Sequence, residues 1–262
     1  MRRRKIFTRL TWFILGSLVG LLVPQAGLYA QGRGGRGGGG AAAPANAKAG
    51  AAIDLTGTWV SVITEDWRYR MVTPSLGDFQ GVPMTAEARK IANAWDPDKE
   101  EASGDLCKSY GAAALLRVPG RLRISWQDDE TLKIESDTGK QTRVFHFGNW
   151  KPAAGTPPTL QGDSTAEWVR GGGRGATDGS LKVTTSNLRA GFLRKNGVPY
   201  SDKTTLTEYF DMIKEPNGDP LIVVTIVTTD PTYLSQPFVV TSQYKKEASD
   251  AKWNPTACSA KW

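Results

Sequence analysis

With 262 residues, 39% of them hydrophobic and 23% charged, the chain is long enough to bury a sizeable core, and its formal charge of +7 points at first to nucleic acid or an anionic membrane. Position removes that reading: eight of the 33 Lys and Arg precede Ile53, whereas all 26 Asp and Glu follow it, so the remainder is close to neutral. A neutral domain lacks the basic footprint that phosphate binding requires, and no nucleic-acid partner is expected.

Residues 1–30 read as a secretory signal: a basic start (Arg2, Arg3, Arg4, Lys5, Arg9), an apolar run from Leu10 to Val23, and a polar stretch ending in Ala30. The apolar run is short of the ~20 residues that span a bilayer, so no stable membrane span is expected. Cleavage is placed after Ala30, with Ala26 as the alternative, and Arg3-Arg4 leaves both general and twin-arginine export open. The expected destination is periplasmic or secreted. Residues 31–53, rich in Gly and Ala, are expected to be a disordered linker, because they carry too little apolar surface to offset the entropy of ordering.

From residue 54 to 262 the pattern is that of one all-β domain. Short runs rich in Val, Ile, Thr, Trp and Tyr, separated by Gly, Pro, Asp and Asn, predict strands at 56–65, 67–72, 121–127, 131–136, 141–147, 164–170, 181–187, 203–214, 221–229 and 238–246. Closing so many strands into an antiparallel barrel removes aggregation-prone edges, which favours a barrel over a sandwich. Alternating Leu122, Ile124 and Trp126, then Leu132 and Ile134, flank Asp128-Asp129-Glu130 and predict a hairpin. The glycines of 171–175 read as another hairpin tip. One short helix is expected over 85–95, with Thr85 as N-cap and Asp96-Pro97 as its stop, and long loops fill the rest. Cys107 and Cys258, in a chain bound for an oxidising compartment, are expected to pair.

Chemistry-bearing residues are few. With one histidine and two paired cysteines there is no metal-ligand cluster, and neither metal nor cofactor is expected. His146 shares a strand face with Thr142 and Val144 and enters the cavity if that face is inward. Glu208 alternates with Leu206, Phe210 and Met212 and so falls on an apolar face, where a carboxylate needs a cation. Arg68, Arg117, Arg143 and Arg194 are the candidates. An ordering salt bridge and a ligand-reading or catalytic carboxylate are both open. Trp67, Trp126, Trp168, Phe210 and Tyr233 offer aromatic surface for a small, mostly apolar ligand, with Arg68, Arg194, His146 and Glu208 as polar contacts. If the protein is instead an enzyme, Glu208, Asp66 and His146 are the acid–base candidates. A barrel filled by side chains, serving interaction, is the third class. The loops 194–200 and 230–233 are expected at the rim.

The opening Leu55-Thr56-Gly57-Thr58-Trp59 resembles the Gly-x-Trp start of lipocalins and other calycin barrels, and Thr207-Glu208-Tyr209 resembles their late Thr-Asp-Tyr element with Glu for Asp. A bridge from the C-terminus to an earlier segment is also similar to lipocalin practice. The resemblance implies a lipocalin-like barrel whose closed end is plugged by Trp59. The Glu65-Asp66-Trp67-Arg68 and Glu208-Tyr209-Phe210-Asp211 segments resemble a set of uncharacterised secreted bacterial proteins, which implies export and no activity.

Overall fold

A computed structural model describes residues 44–171 and 179–261. The expected signal, the first part of the linker and most of the 171–175 tip lie outside these residues. Nine strands close into a barrel: β1 (Gly57–Val62), β2 (Arg121–Asp128), β3 (Thr131–Ser136), β4 (Gln141–His146), β5 (Asp163–Arg170), β6 (Gly179–Ser186), then β9 (Thr205–Lys214), β10 (Pro220–Thr229) and β11 (Phe238–Lys246). Their spatial order is β1-β11-β10-β9-β6-β5-β4-β3-β2, while β7 (Gly191–Arg194) and β8 (Val198–Tyr200) form a separate hairpin. The expected β2–β3 hairpin is present, with Ile124 opposite Ile134 and a bulge between Trp126 and Asp128.

The barrel is not wholly antiparallel, as had been expected. β4 and β5 run parallel, Phe145 opposite Ser164, because residues 147–162 carry the chain back along the wall before β5 begins. Alternation along each strand sends Trp59, Ile134, Phe145, Leu181, Val183, Phe210 and Val224 into one core cluster, each fully buried. Phe145 and Phe210 meet edge to face across it at 5.8 Å. Trp59 is fully buried in that cluster, its indole donating to the Leu55 carbonyl at 2.8 Å.

One end of the barrel is capped by residues 63–120 together with the β7–β8 hairpin. Four short helices lie in that cap: α1 (Trp67–Arg70), α2 (Ala86–Asn93), α3 (Pro97–Ser103) and α4 (Ala112–Leu115). Two expectations are corrected here. Residues 67–72, expected as a strand, begin with α1: Asp66 adopts a left-handed conformation (φ 49°) and its carbonyl accepts from the Tyr69 N–H at 2.7 Å, turning the chain before it can extend. The single helix is joined by others, although α2 itself is capped by Thr85 as expected, the side chain accepting from the Ala88 N–H at 3.2 Å. Asp96-Pro97 stops α2 and also starts α3, the Asp96 carboxylate accepting from Asp98 and Lys99 N–H groups and Pro97 filling the first turn. Cys107 and Cys258 are disulfide-bonded, which ties the last residues to the cap.

At the opposite end, residues 44–53 depart from the disordered linker expected of them and form a strap. The Trp168 indole donates to the Ala47 carbonyl at 2.8 Å, Arg170 to the Gly50 carbonyl at 2.7 Å, and the Lys48 N–H to the Asp129 carbonyl at 3.0 Å. Partners on the barrel supply the ordering free energy that this composition lacks by itself. Among the described residues no helix is long and apolar enough to cross a membrane.

Candidate functional site

The capped end gathers charge. Arg70 at the end of α1, Arg117 just after α4, and Arg194 and Lys195 at the β7–β8 turn line one small recess of about 30 Å³ with Tyr69 and Phe238. Arg70, Arg194 and Lys195 are 2%, 9% and 7% exposed. Gly197 lets this turn close: its φ is +82°, and a Cβ there would clash with the Trp95 ring. The Arg194 guanidinium donates to the Gln80 carbonyl at 2.9 Å and stands 4.2 Å from the Tyr69 ring. Lys195 donates to the Tyr110 hydroxyl at 2.5 Å.

Two acids answer part of this charge. Asp66 takes Arg117 at 2.6 Å, and Glu65 lies 3.4 Å from Arg70 and 3.6 Å from Arg117. Arg117 also donates to the Thr241 carbonyl at 2.5 Å, and Arg70 through Nε to the Arg117 carbonyl at 3.0 Å. Arg70 Nη2, fully buried, has no hydrogen-bond partner. Burial holds all three guanidinium groups below their ordinary ionisation range, and the charge of Arg117 adds to the effect at Arg70 and Arg194. They remain cationic at neutral pH. Burial likewise lowers Lys195 to about 8, against the pull of Glu101.

Beside the recess a rim groove of about 510 Å³ is walled by Tyr69, Arg194 and Phe238, which it shares with the recess, and by Val239, Val240 and Gln80. Asp66 and Arg68 stand at its polar edge. Its volume lies in the range of small-molecule sites, and most of its exposed lining is polar, with Tyr69, Phe238, Val239 and Val240 as its aromatic and aliphatic part.

Deeper in the barrel, Glu208 is inward and fully buried, as its strand position implied. Its partner is Arg143, the third of the four candidates: Nη1 to Oε1 at 2.7 Å and Nη2 to Oε2 at 2.5 Å, a two-point pair. Arg143 also donates to Thr185 at 3.2 Å, which meets Ser164 at 2.8 Å. Tyr244 stands between this pair and the arginines above, its hydroxyl donating to the Leu116 carbonyl at 2.8 Å and its ionisation pushed up by burial.

The acid–base trio is not assembled. His146 is on the outer face of β4, since Arg143 and Phe145 take the inner one, and it stacks on Trp150 with centroids 4.0 Å apart. Partial burial lowers its pKa despite Asp128 and Asp163 nearby. Asp66 is at the cap, committed to Arg117. The expected binding set divides by location. Arg68 and Arg194 line the rim groove, beside the acid–base candidate Asp66, while Trp67 is 64% exposed on the outside of α1. Phe210 is core. Trp126 and Trp168 lie at the strap end, joined through Phe147 at 5.5 Å to each ring. Tyr233 is half-buried in a loop tied to α2, its carbonyl accepting from the Thr85 N–H at 2.9 Å. Tyr69, Arg70 and Phe238 were not anticipated as site residues, Arg117 was considered only as a partner for Glu208 and Lys195 only as part of the 194–200 rim loop; the one signal for Arg70 was the density of Arg in Arg68-Tyr69-Arg70.

Among the described residues no group of three or more His, Cys, Asp or Glu is placed to hold a metal ion. Compared with protein-family models, with curated proteins and with solved structures, the chain matches none.

Proposed function

We propose that this protein is an exported, non-catalytic barrel that binds a small, largely apolar molecule at its capped rim. The observation that carries the reading is the groove walled by Tyr69, Phe238, Val239 and Val240, with Arg194 and Arg68 at hand to orient a bound molecule. The barrel axis itself is occupied by side chains and by the Arg143–Glu208 pair, which moves the expected ligand from the interior to the rim. An acid–base enzyme loses support, because Glu208, His146 and Asp66 lie in three separate environments. The Cys107–Cys258 bridge supports an oxidising compartment, and with it the export reading. The lipocalin likeness is retained only as a likeness of the Gly57-Thr58-Trp59 start and the C-terminal bridge.

Paired native and denaturing mass determination on protein exported to a bacterial periplasm tests the reading. An extra mass present only in the native spectrum, and lost when Val240 at the groove is replaced by Arg, is the expected result. A bare native mass in the unaltered protein, together with no binding of apolar probes, overturns it. A second reading, an interaction module, is favoured by one observation: Trp67, Met71, Val72 and Leu76 are 53% to 64% exposed within one short segment.

A further inference from the structure

The recess behind the groove carries an inference about what kind of molecule the groove takes. Four cationic side chains, Arg70, Arg117, Arg194 and Lys195, face a space of about 30 Å³, and the carboxylates within salt-bridge reach of the arginines are Glu65 and Asp66. A space of that size holds about two water-sized atoms, which is the size of a carboxylate's oxygen pair and less than the four oxygens of a phosphate. Arg70 is 2% exposed, and its Nη2 is buried without a hydrogen-bond partner. A buried guanidinium nitrogen left unbonded is costly, and an anionic oxygen is the partner that most strengthens such a bond. Three of the residues lining the recess, Tyr69, Arg194 and Phe238, also wall the groove, whose lining is more polar than apolar.

We propose that the ligand is a carboxylic acid with an aromatic or aliphatic body, its carboxylate in the recess among Arg70, Arg117, Arg194 and Lys195 and its body on Tyr69, Phe238 and Val240 in the groove. This rests on the rim-groove reading above and adds the head group to it. Arg194 is the hinge of the arrangement: held by the Gln80 carbonyl and stacked on Tyr69, it presents its charge where head and body meet. The acids Glu65 and Asp66 act as positioning residues, since they hold Arg70 and Arg117 in place without filling the recess.

Calorimetric titration of the unaltered, disulfide-closed protein with three probes tests this: 2-naphthylacetate, the matched neutral alcohol 2-(2-naphthyl)ethanol, and acetate. The expected result is that naphthylacetate binds at least tenfold tighter than the alcohol and at least a hundredfold tighter than acetate. Arg70→Lys, which keeps the charge and removes the guanidinium fork, is expected to bring naphthylacetate to within threefold of the alcohol. Equal affinity for naphthylacetate and the alcohol overturns the head-group inference and leaves the groove standing. Equal affinity for naphthylacetate and acetate overturns the groove and with it the proposal, leaving a bare anion site. Binding of none of the three overturns both. The wild-type comparison decides the matter even if Arg70→Lys fails to fold.

Discussion

Glu208 illustrates how much one inward carboxylate can demand of its surroundings. Both members of the Arg143–Glu208 pair have fully buried side chains, so each is tolerable only because the other is present. Glu208→Gln is expected to lower stability by about 3 kcal/mol, a fall of roughly 10 °C in melting temperature for a domain of this size, because it strands the arginine. Replacing both at once, Arg143→Met with Glu208→Leu, is expected to recover most of the loss. Thermal unfolding followed by circular dichroism checks this, and an unchanged Glu208→Gln melting temperature would contradict the buried pair. Lys195 makes a second demand, on pH. Its amine is lowered to about 8 by burial, whereas in the unfolded chain it titrates near the ordinary value of about 10.4. Between about pH 8 and pH 10 the unfolded chain therefore binds more protons than the fold, and stability rises with pH. Above that, the Tyr110 phenol, whose ionisation burial pushes up, works in the opposite direction. Denaturant midpoints at pH 7.5 and 9.5 should rise in the native protein and stay level in Lys195→Met; equal slopes in the two would show that Lys195 is not the source.

At the scale of elements, the strap of residues 44–53 yields the clearest prediction. Deleting the chain through residue 53 removes the carbonyls that accept from Trp168 and Arg170, leaving two donors at the barrel end unsatisfied. A loss of about 1–3 kcal/mol and a red shift of tryptophan emission are expected, and emission indifferent to the deletion would mean that the strap does not seat. Composition hid this strap, since Gly and Ala carry no apolar signal and the bonds are made by the backbone. The barrel strands were legible for the converse reason: Leu122, Ile124 and Trp126 or Leu206, Glu208 and Phe210 alternate with period two, and that period survives whichever neighbour the strand pairs with. Pairing direction leaves no such trace, which is why the parallel contact of β4 with β5 was missed. Residues 67–72 failed differently. Trp67 and Tyr69 alternating with Arg68 and Arg70 imitate a strand, but four helical residues are too few to show a helical period, and the turn is set by Asp66 and its partner Arg117.

For the whole molecule, the disulfide and the β7–β8 hairpin convert one end of the barrel into a cap on which distant parts of the chain meet. Arg70, Arg117, Arg194 and Lys195 come from three segments brought together only by folding, so no spacing in the sequence announces them. Glu208 could be found from its own strand, whereas the recess could not. The division of the expected binding residues between two ends has the same origin: aromatic content was readable, but not which rim each ring would reach. The central claim is that the ligand sits at the capped rim and not along the barrel axis. A crystal soaked with 6-bromo-2-naphthylacetate and measured at the bromine absorption edge tests it most directly. The account predicts an anomalous peak in the groove between Tyr69 and Phe238, with the carboxylate turned towards Arg70. A peak inside the barrel near Phe145 and Phe210, or at the strap end beside Trp168, would contradict it.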